Sequence, residues 1–218
     1  MKENLAARKK RAAQVTAKLK ELFPDARIVL RYKNNWELLV AVILSAQCTD
    51  KKVNEVTEKL FKKYKTLDDY IQAGQKEFEQ DIKPTGFFRN KAKNILAAAK
   101  MLKEKFGGKV PRTMQDMLKL PGVARKTANV VLGNAYGVVE GIAVDTHVMR
   151  LSKKLGLTSH KNPMKIEQDL MSLVPKKDWF FLTYGFIEYG RHICLRRKHD
   201  CKDHPLTKIY PKAAIIWP

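Results

Sequence analysis

Apolar residues recur at helical spacing along most of the chain, and no segment shows the strict alternation typical of a half-buried strand. Leu5, Ala12, Val15 and Leu19 follow one another at such spacings, which predicts a basic amphipathic helix within the first 22 residues. The segment after Asn35, from Trp36 to Leu44, is apolar on most sides and predicts a buried helix that Asn35 caps. This pattern favours an all-α fold.

Capping residues and glycines divide the rest of the chain into further helices. Thr49, Thr66 and Thr113 are suitable N-caps, and Asn162-Pro163 combines a cap with a proline at the first helical position. The other predicted helices cover 90–106, 124–135, 146–155 and 177–194, and the helix at 124–135 is predicted to be buried nearly all round. Because no flexible linker separates the helices, we expect two lobes made of interleaved segments.

The excess of positive charge limits the classes of molecule that the protein is expected to bind. Lys and Arg total 43 against 22 Asp and Glu, which gives a net charge of +21 and a pI of 9.9. Such an excess is typical of proteins that bind polyanions, and both nucleic acid and anionic membranes meet that description. Charge alone does not choose between these two partners. No stretch reaches the roughly 20 apolar residues of a membrane span, so we expect no membrane-spanning segment.

The cysteine content and the N-terminal segment indicate the cellular compartment in which the protein is expected. The chain has Cys48, Cys194 and Cys201, an odd and sparse set that argues against a disulfide framework. The first 22 residues lack the continuous apolar core of a signal peptide. These two features favour a reducing compartment. We expect a cytoplasmic, nucleoid-associated protein if the source is prokaryotic, and a monomer.

A turn followed by a helix, at Leu120–Lys126, is the first candidate for chemistry. The sequence Leu-Pro-Gly-Val-Ala leads into a predicted helix, whose first N–H groups and positive dipole end suit a phosphate oxygen. Lys126 lies in the first turn of this otherwise apolar helix, where a cation is disfavoured. A neutral lysine amine is the species that forms a Schiff base. The alternatives are a plain helical corner and a lysine that extends to solvent.

Four collinear segments identify the chain as similar to the endonuclease III group of helix-hairpin-helix DNA glycosylases. The segments are LSAQCTD at 44–50, TGFFRNKA at 85–92, LPGVARKTANVVLGNAYG at 120–137 and AVDTH at 143–147. The resemblance implies a two-lobed all-α fold with the DNA cleft between the lobes. It implies a six-helix barrel at 28–140, with the hairpin at about 113–135, and a second lobe from 1–27 plus 141–218.

The resemblance also implies a reaction. Lys126 would attack the deoxyribose C1′ of a flipped, damaged nucleotide, which is typically an oxidised pyrimidine. The base leaves, a Schiff base forms, and β-elimination cuts the strand on the 3′ side. Asp145 would take the proton of the lysine and stabilise positive charge on the sugar; the alternative is a simple cap on the helix from Thr146. The expected partner is double-stranded DNA with a damaged base or an abasic site.

The same resemblance implies a set of DNA contacts. Gln47 would fill the gap left by the flipped nucleotide, and Phe87 would act as an apolar wedge in the opposite strand. Residues expected to contact phosphates are Gly122, Val123, Ala124 and Arg125 in the hairpin, and Arg196, Arg197 and Lys198 near the C-terminus. Ala124 replaces a glycine of many relatives, which keeps the amide but disfavours a positive φ. Judged without the family, Gln47 would be a polar helix end and Phe87 a core residue.

The C-terminal segment departs from the family. Many relatives hold a 4Fe–4S cluster with four cysteines spaced C-x6-C-x2-C-x5-C. Here Cys194 and Cys201 take the first two places, but His204 and Tyr210 take the others, and tyrosine is a poor cluster ligand. We expect no cofactor. A zinc ion on Cys194, Cys201, His204 and either His199 or His192 is an alternative. The favoured reading is a lobe closed by packing of Ile209, Tyr210, Ile215, Ile216 and Trp217.

Two other functions fit parts of the sequence. One is a monofunctional mismatch or adenine glycosylase of the same superfamily, although such relatives generally lack a lysine at the position of Lys126. The other is a non-enzymatic helix-hairpin-helix DNA-binding protein, which would need neither Lys126 nor Asp145. The sequence therefore favours a bifunctional DNA glycosylase and AP lyase of base excision repair.

Overall fold

Side-chain caps explain where many of the helices begin. The computed structural model describes residues 4–216. Its α-helices are α1 Leu5–Leu22, α2 Asn35–Leu44, α3 Asp50–Lys63, α4 Leu67–Gln72, α5 Gln75–Ile82, α6 Phe88–Lys105, α7 Met114–Met117, α8 Arg125–Tyr136, α9 Thr146–Lys154, α10 Pro163–Leu173, α11 Trp179–His192 and α12 Pro205–Ile209. Short 3₁₀ turns cover Lys83–Thr85, Lys176–Asp178 and Pro211–Ala214. No strand occurs within the described residues, so the predicted all-α fold class is confirmed.

The predicted caps are largely the observed ones. The side chains of Thr49, Thr66, Thr113 and Asn162 accept from backbone N–H groups at the starts of α3, α4, α7 and α10. The cap of α2 is wrong by one position: Asn34 caps it, and Asn35 is already helical. Adjacent asparagines offer the same cap chemistry, so the sequence alone could not choose between them.

The chain divides into two compact units, each described here separately. The hairpin unit comprises Val29–Val138, and the terminal unit comprises the segments before and after it. The hairpin unit contains α2 to α8, and α5 among them was not predicted from the sequence pattern. Helix α2 packs on α8, α3 and α6, and every residue from Leu38 to Leu44 is buried, as its uniformly apolar sequence predicts.

The terminal unit has its own apolar core. Helix α11 packs on α1 and α9, while α10 packs on α1 and α9 from another side. Val15, Leu19, Leu151, Leu170 and Phe186 lie in the core that these helices share. The first segment of the chain thus completes a unit made mostly of residues more than a hundred positions later, because the apolar face of α1 needs that cover.

The C-terminal residues form only part of the packing predicted for them. Ile209 and Tyr210 pack against the core of the terminal unit, but Ile215 is 83% exposed, so its predicted role in closing the lobe is wrong. The helical turn at Pro211–Ala214 directs Ala213, not Ile215, into the core. Trp217 lies outside the described residues. Among residues 4–216, no helix is long and apolar enough to span a membrane.

Candidate active site

A tight turn that needs a glycine connects α7 to α8 in the hairpin unit. Gly122 has φ +76°, and a Cβ atom there would lie 2.8 Å from Cβ of Asn94. Both the backbone conformation and the close approach to α6 therefore exclude a side chain. The N–H of Val123 donates to the Leu120 carbonyl (3.2 Å), and the Val123 side chain is buried. Val123 thus supports the turn itself, which differs from the phosphate contact predicted for it.

The N-terminus of α8 lacks a side-chain cap. Ala124 is the N-cap residue, and its methyl side chain makes no cap hydrogen bond. The N–H groups of that turn and the positive end of the helix dipole therefore face an exposed surface on which Ala124 and Lys126 lie. Ala124 has φ −92°, an ordinary extended value, so the replacement of glycine by alanine requires no strain. This arrangement suits an anion such as a phosphate.

Lys126 is exposed, which corrects the environment predicted for it. Helix α8 buries Ala128, Asn129, Val131 and Leu132, whereas its other residues are partly or fully exposed. The helix was predicted to be buried nearly all round, but it is buried along one face only. Lys126 lies off that face, so its amine is accessible to a large substrate.

Asp145 belongs to the terminal unit, directly before α9. Its Oδ1 accepts from the N–H of Val148 at 2.8 Å, and the residue is half-buried. Asp145 is therefore the N-cap of α9, the alternative role considered for it. The cap fixes one carboxylate oxygen and leaves the second oxygen for other chemistry, so the two roles are compatible.

His147 and Gly190 form a pair in the terminal unit that the sequence does not reveal. A Cβ atom at Gly190 would lie 2.2 Å from Nδ1 of His147, so the ring lies directly against the backbone of α11. His147 follows Asp145 by two residues in the first turn of α9. Gly190 therefore fixes the ring beside the start of that helix. A glycine inside a helical pattern is the only sequence signal for this contact.

Gln47 and Phe87 share an unusual backbone conformation. They are the two non-glycine residues with positive φ among residues 4–216, at +53° and +47°. Both are exposed, and Phe87 exposes 62% of its surface. Such strain costs on the order of 1–3 kcal/mol and clusters at functional sites. The core position considered for Phe87 is excluded.

The predicted basic contacts near the C-terminus lie at the surface of the terminal unit. Arg196, Arg197 and Lys198 are all exposed in the irregular segment after α11. Cys194, just before them, is buried and accepts from the guanidinium of Arg150 at 3.4 Å. The segment is thus anchored at Cys194, while its three cations face solvent.

The residues at the family's cluster position do not fit a 4Fe–4S cluster. The thiol of Cys201 faces the Ala214 carbonyl oxygen (3.8 Å), and the ring of Tyr210 lies under the guanidinium of Arg11, 4.1 Å from its carbon. Two of the four places thus have other packing partners, and a cluster normally requires four ligands, usually thiolates.

The zinc set considered above is also altered. Ligand atoms of Cys194, His199 and His204 lie within 4.8 Å of one another, but Cys201 is not among them. His192 pairs with Glu188 at 3.2 Å instead. Three donors fall short of the four of a structural zinc site, and the Arg150 cation already contacts the Cys194 thiol.

A family model and several relatives match this chain. Residues 40–176 match the HhH-GPD superfamily base excision DNA repair protein family. The chain is 48% identical to an endonuclease III of Synechocystis sp., over 96% of this chain and 95% of the relative. It is also 48% identical to the endonuclease III of Bacillus subtilis, over 88% of each chain.

A solved structure agrees with both the sequence and the fold. It is described as a trapped endonuclease III–DNA covalent intermediate with an estranged adenine. The TM-score is 0.89 and the identity is 44%, with 94% of this chain and 96% of that chain covered. The resemblance inferred from the four sequence segments is therefore confirmed over most of the chain.

Proposed function

Because the chain belongs to the endonuclease III group of HhH-GPD base excision repair proteins, it is a bifunctional DNA glycosylase and AP lyase, and we propose that Lys126 is its nucleophile. The observation that carries this proposal is the exposed amine of Lys126 in the uncapped first turn of α8. A phosphate bound at that helix end would hold the DNA backbone one turn or less from the amine. Covalent catalysis requires a nucleophile within reach of the reacting atom, and an exposed amine beside a phosphate-binding helix end supports that role.

The proposed reaction has balanced steps. The lone pair of the Lys126 Nζ forms a bond to C1′ of the deoxyribose, and the bond from C1′ to the base breaks, so that the base leaves with the bonding pair and a proton. The nitrogen lone pair then forms the C=N bond while the C1′–O4′ bond breaks and O4′ takes up a proton, which gives a protonated Schiff base. A base removes a C2′ proton, and the C3′–O bond breaks so that the phosphate on the 3′ side of the lesion leaves with the bonding pair. Water then hydrolyses the Schiff base and frees Lys126.

Asp145 is proposed to supply the carboxylate of this reaction. A carboxylate can take up a proton from the amine and can stabilise the positive charge that develops on the sugar. The support within the terminal unit is that the cap on α9 fixes the orientation of the Asp145 side chain. A carboxylate that is already oriented needs less reorganisation when charge develops.

DNA binding follows from the family, and the finer contacts are proposals. The exposed cations Arg196, Arg197 and Lys198 are proposed to contact phosphates, together with Arg125 and the amides of Gly122 and Ala124. Gln47 and Phe87 are proposed to enter the duplex around the damaged nucleotide, which their exposure and left-handed backbone support. We further propose that the enzyme is a monomer that acts on oxidised pyrimidines in nucleoid DNA.

The protein is also proposed to work without an iron–sulfur cluster or another metal. The support is the packing of Tyr210 on Arg11 and the three-donor set near Cys194. In the proposed reaction, the amine of Lys126 and the carboxylate of Asp145 supply the chemistry, and neither needs a metal.

A panel of duplexes tests the proposed substrate and nucleophile together. The panel contains thymine glycol, other oxidised pyrimidines, uracil, mismatched thymine and an abasic site. Wild-type protein is expected to remove oxidised pyrimidines and to cut the abasic strand, and Lys126→Gln is expected to lose both. Base removal without strand cleavage, or preference for the mismatch, would instead indicate a monofunctional enzyme. Tight binding without any reaction would indicate a non-enzymatic DNA-binding protein.

A further inference from the structure

Lys91 is a buried lysine to which the sequence analysis gives no role. It lies in the first turn of α6 and exposes only 5% of its surface. Its Nζ donates at 2.8 Å to the carbonyl of Leu44 and at 2.8 Å to the carbonyl of Thr85. Burial lowers the pKa of Lys91, and the nearby thiol of Cys48 opposes that shift. A lysine is seldom buried without a compensating interaction. The two carbonyl hydrogen bonds compensate the cost of removing the Lys91 ammonium from water.

The two carbonyls mark the starts of two loops. Leu44 is the last residue of α2, where carbonyls lack intrahelical partners and the helix dipole favours a cation. Thr85 ends the 3₁₀ turn before α6. The side chain of Lys91 therefore connects the end of α2 to that turn, two segments about forty residues apart, through a single ammonium group.

Each loop leads within a few residues to a strained, exposed side chain. Gln47 follows Leu44 by three residues, and Phe87 follows Thr85 by two. Within residues 4–216 they are the two non-glycine residues with positive φ, at +53° and +47°. Strained backbone persists only where the surrounding structure over-determines it. Lys91 is the side chain that hydrogen-bonds to the start of both loops.

We propose that Lys91 is a positioning residue that holds Gln47 and Phe87 in register with each other, so that both can enter the duplex around one nucleotide. This inference rests on the proposed DNA contacts of those two residues. Lys91 is buried and does not itself touch DNA. The ammonium fixes the spacing between the loops, because both hydrogen bonds are charge-assisted and share one donor atom.

The proposal separates two reactions of the same enzyme. Base removal from a duplex requires the nucleotide to be extruded and the gap to be filled, whereas β-elimination at an abasic site in single-stranded DNA requires neither. Lys91→Met keeps much of the side-chain volume and loses the donors. It is expected to slow single-turnover base removal from a thymine glycol duplex by about 30-fold, while cleavage of the single-stranded abasic substrate stays within about 3-fold of wild type.

Two comparisons make the result specific. Lys100→Met removes an exposed lysine of the same helix, which pairs with Glu104 at 3.9 Å, and it is expected to change either reaction by less than about 2-fold. In a Gln47→Ala/Phe87→Ala background, Lys91→Met is expected to add less than about 3-fold to the loss on the duplex, because residues that act as a unit are not additive.

Equal losses in both reactions would overturn the proposal, as would a full additional loss in the double-alanine background. If Lys91→Met does not fold, Lys91→Arg gives the same comparison, because its longer side chain keeps the charge but changes the loop spacing. A selective loss on the duplex then supports the proposal, and an equal loss contradicts it. Failure of the proposed nucleophile is recognised separately, since Lys126→Gln would then retain both reactions.

Discussion

Gly122 is a position in the hairpin at which a side chain would be both strained and too close to α6. Gly122→Ala would have a strained φ of +76° and a Cβ 2.8 Å from Asn94 Cβ. We expect it to lower the free energy of unfolding by about 2–4 kcal/mol and to weaken DNA binding. Gly137→Ala is the matched control, because Gly137 has φ +66° in the same unit and no atom within 4 Å of its Cβ position.

The control is expected to lose only about 1 kcal/mol, with DNA affinity unchanged. Urea unfolding and fluorescence anisotropy measure the two quantities. Equal effects of the two alanines would show that only backbone strain matters at Gly122, and that its close approach to Asn94 does not.

Asp145 allows the structural and chemical roles to be separated. Asparagine caps a helix about as well as aspartate, so Asp145→Asn is expected to change the stability by less than about 0.5 kcal/mol. It removes the carboxylate charge, and we expect base removal to slow by about 100-fold or more. Asp145→Ala is expected to lose the same activity and a further ~1 kcal/mol of stability.

Single-turnover assays and chemical unfolding of both variants check this prediction. Normal activity in Asp145→Asn would leave Asp145 with the cap alone. A stability loss as large as that of the alanine variant would mean that asparagine does not replace the cap.

The role and burial of a residue can be predicted from the sequence when they depend on residues nearby in the chain. The capping role of Asp145 can be predicted from the few residues that follow it. The turn at Gly122 can likewise be predicted from the residues around it. The burial of Lys91 could not be predicted, because its partner Leu44 lies far along the chain. The exposure of Lys126 was considered only as an alternative, since the apolar sequence of α8 does not show which of its faces the neighbouring helices cover.

At the scale of elements, the loops before α3 and α6 hold strained residues. Phe87 has φ +47°, which glycine adopts freely, so Phe87→Gly is expected to keep the stability or raise it by up to about 1 kcal/mol. Removal of the exposed ring is expected to slow base removal from a duplex by about 10-fold or more. A gain in stability together with a loss of activity would indicate that the backbone strain at Phe87 serves the function.

Thermal unfolding and a duplex assay of Phe87→Gly measure these two effects. Phe88→Leu is a control at the adjacent position, because Phe88 is the first residue of α6 and does not have a positive φ. A loss of both stability and activity in Phe87→Gly would contradict the assignment of Phe87 as a strained DNA-contact residue.

The same scale shows which helices the sequence predicts well. Those with a side-chain cap and a long apolar face, such as α3 and α10, were found within a residue or so of their N-termini. Helix α5 was missed because Gly74 provides no side-chain cap and only Phe78 and Ile82 are buried. Helix α12 was missed for a different reason: it has five residues, and so short a helix shows no periodicity.

At the scale of the whole molecule, the net charge of +21 predicts binding that depends strongly on salt. Each phosphate contact releases condensed counterions, so the affinity should fall as a power of the salt concentration. Substitution of Arg196, Arg197 and Lys198 by alanine is expected to reduce the slope of log K against log salt by about 2–3. Lys62, Lys100 and Lys103, exposed lysines that pair with acidic neighbours outside the hairpin, provide the control triple.

An unchanged slope in the first triple would place the DNA away from the segment after α11. A similar decrease in the control triple would mean that charge acts through the overall field of the protein, with no local contact. Anisotropy titrations at several salt concentrations distinguish these outcomes.

The metal content is a second property of the whole molecule. We expect no absorbance band near 400 nm and no iron in freshly purified protein, and base removal should survive a chelator. The rebuilt C-terminal segment gives the reason, since Tyr210 packs on Arg11 where relatives place a ligand. A brown protein whose activity is lost with its iron would contradict this expectation. The loss of two cysteines could be read from sequence, but the pairing of Tyr210 with Arg11, 199 residues earlier, could not.

The identity of the nucleophile is tested most directly by borohydride trapping followed by peptide mapping. Wild-type protein incubated with an abasic duplex and borohydride should give a covalent adduct, because the reductant converts the Schiff base to a stable amine. Mass spectrometry of the digested adduct should place the sugar remnant on Lys126, and Lys126→Gln should give no adduct. An adduct that persists in Lys126→Gln, or a remnant mapped to another residue, would contradict the account.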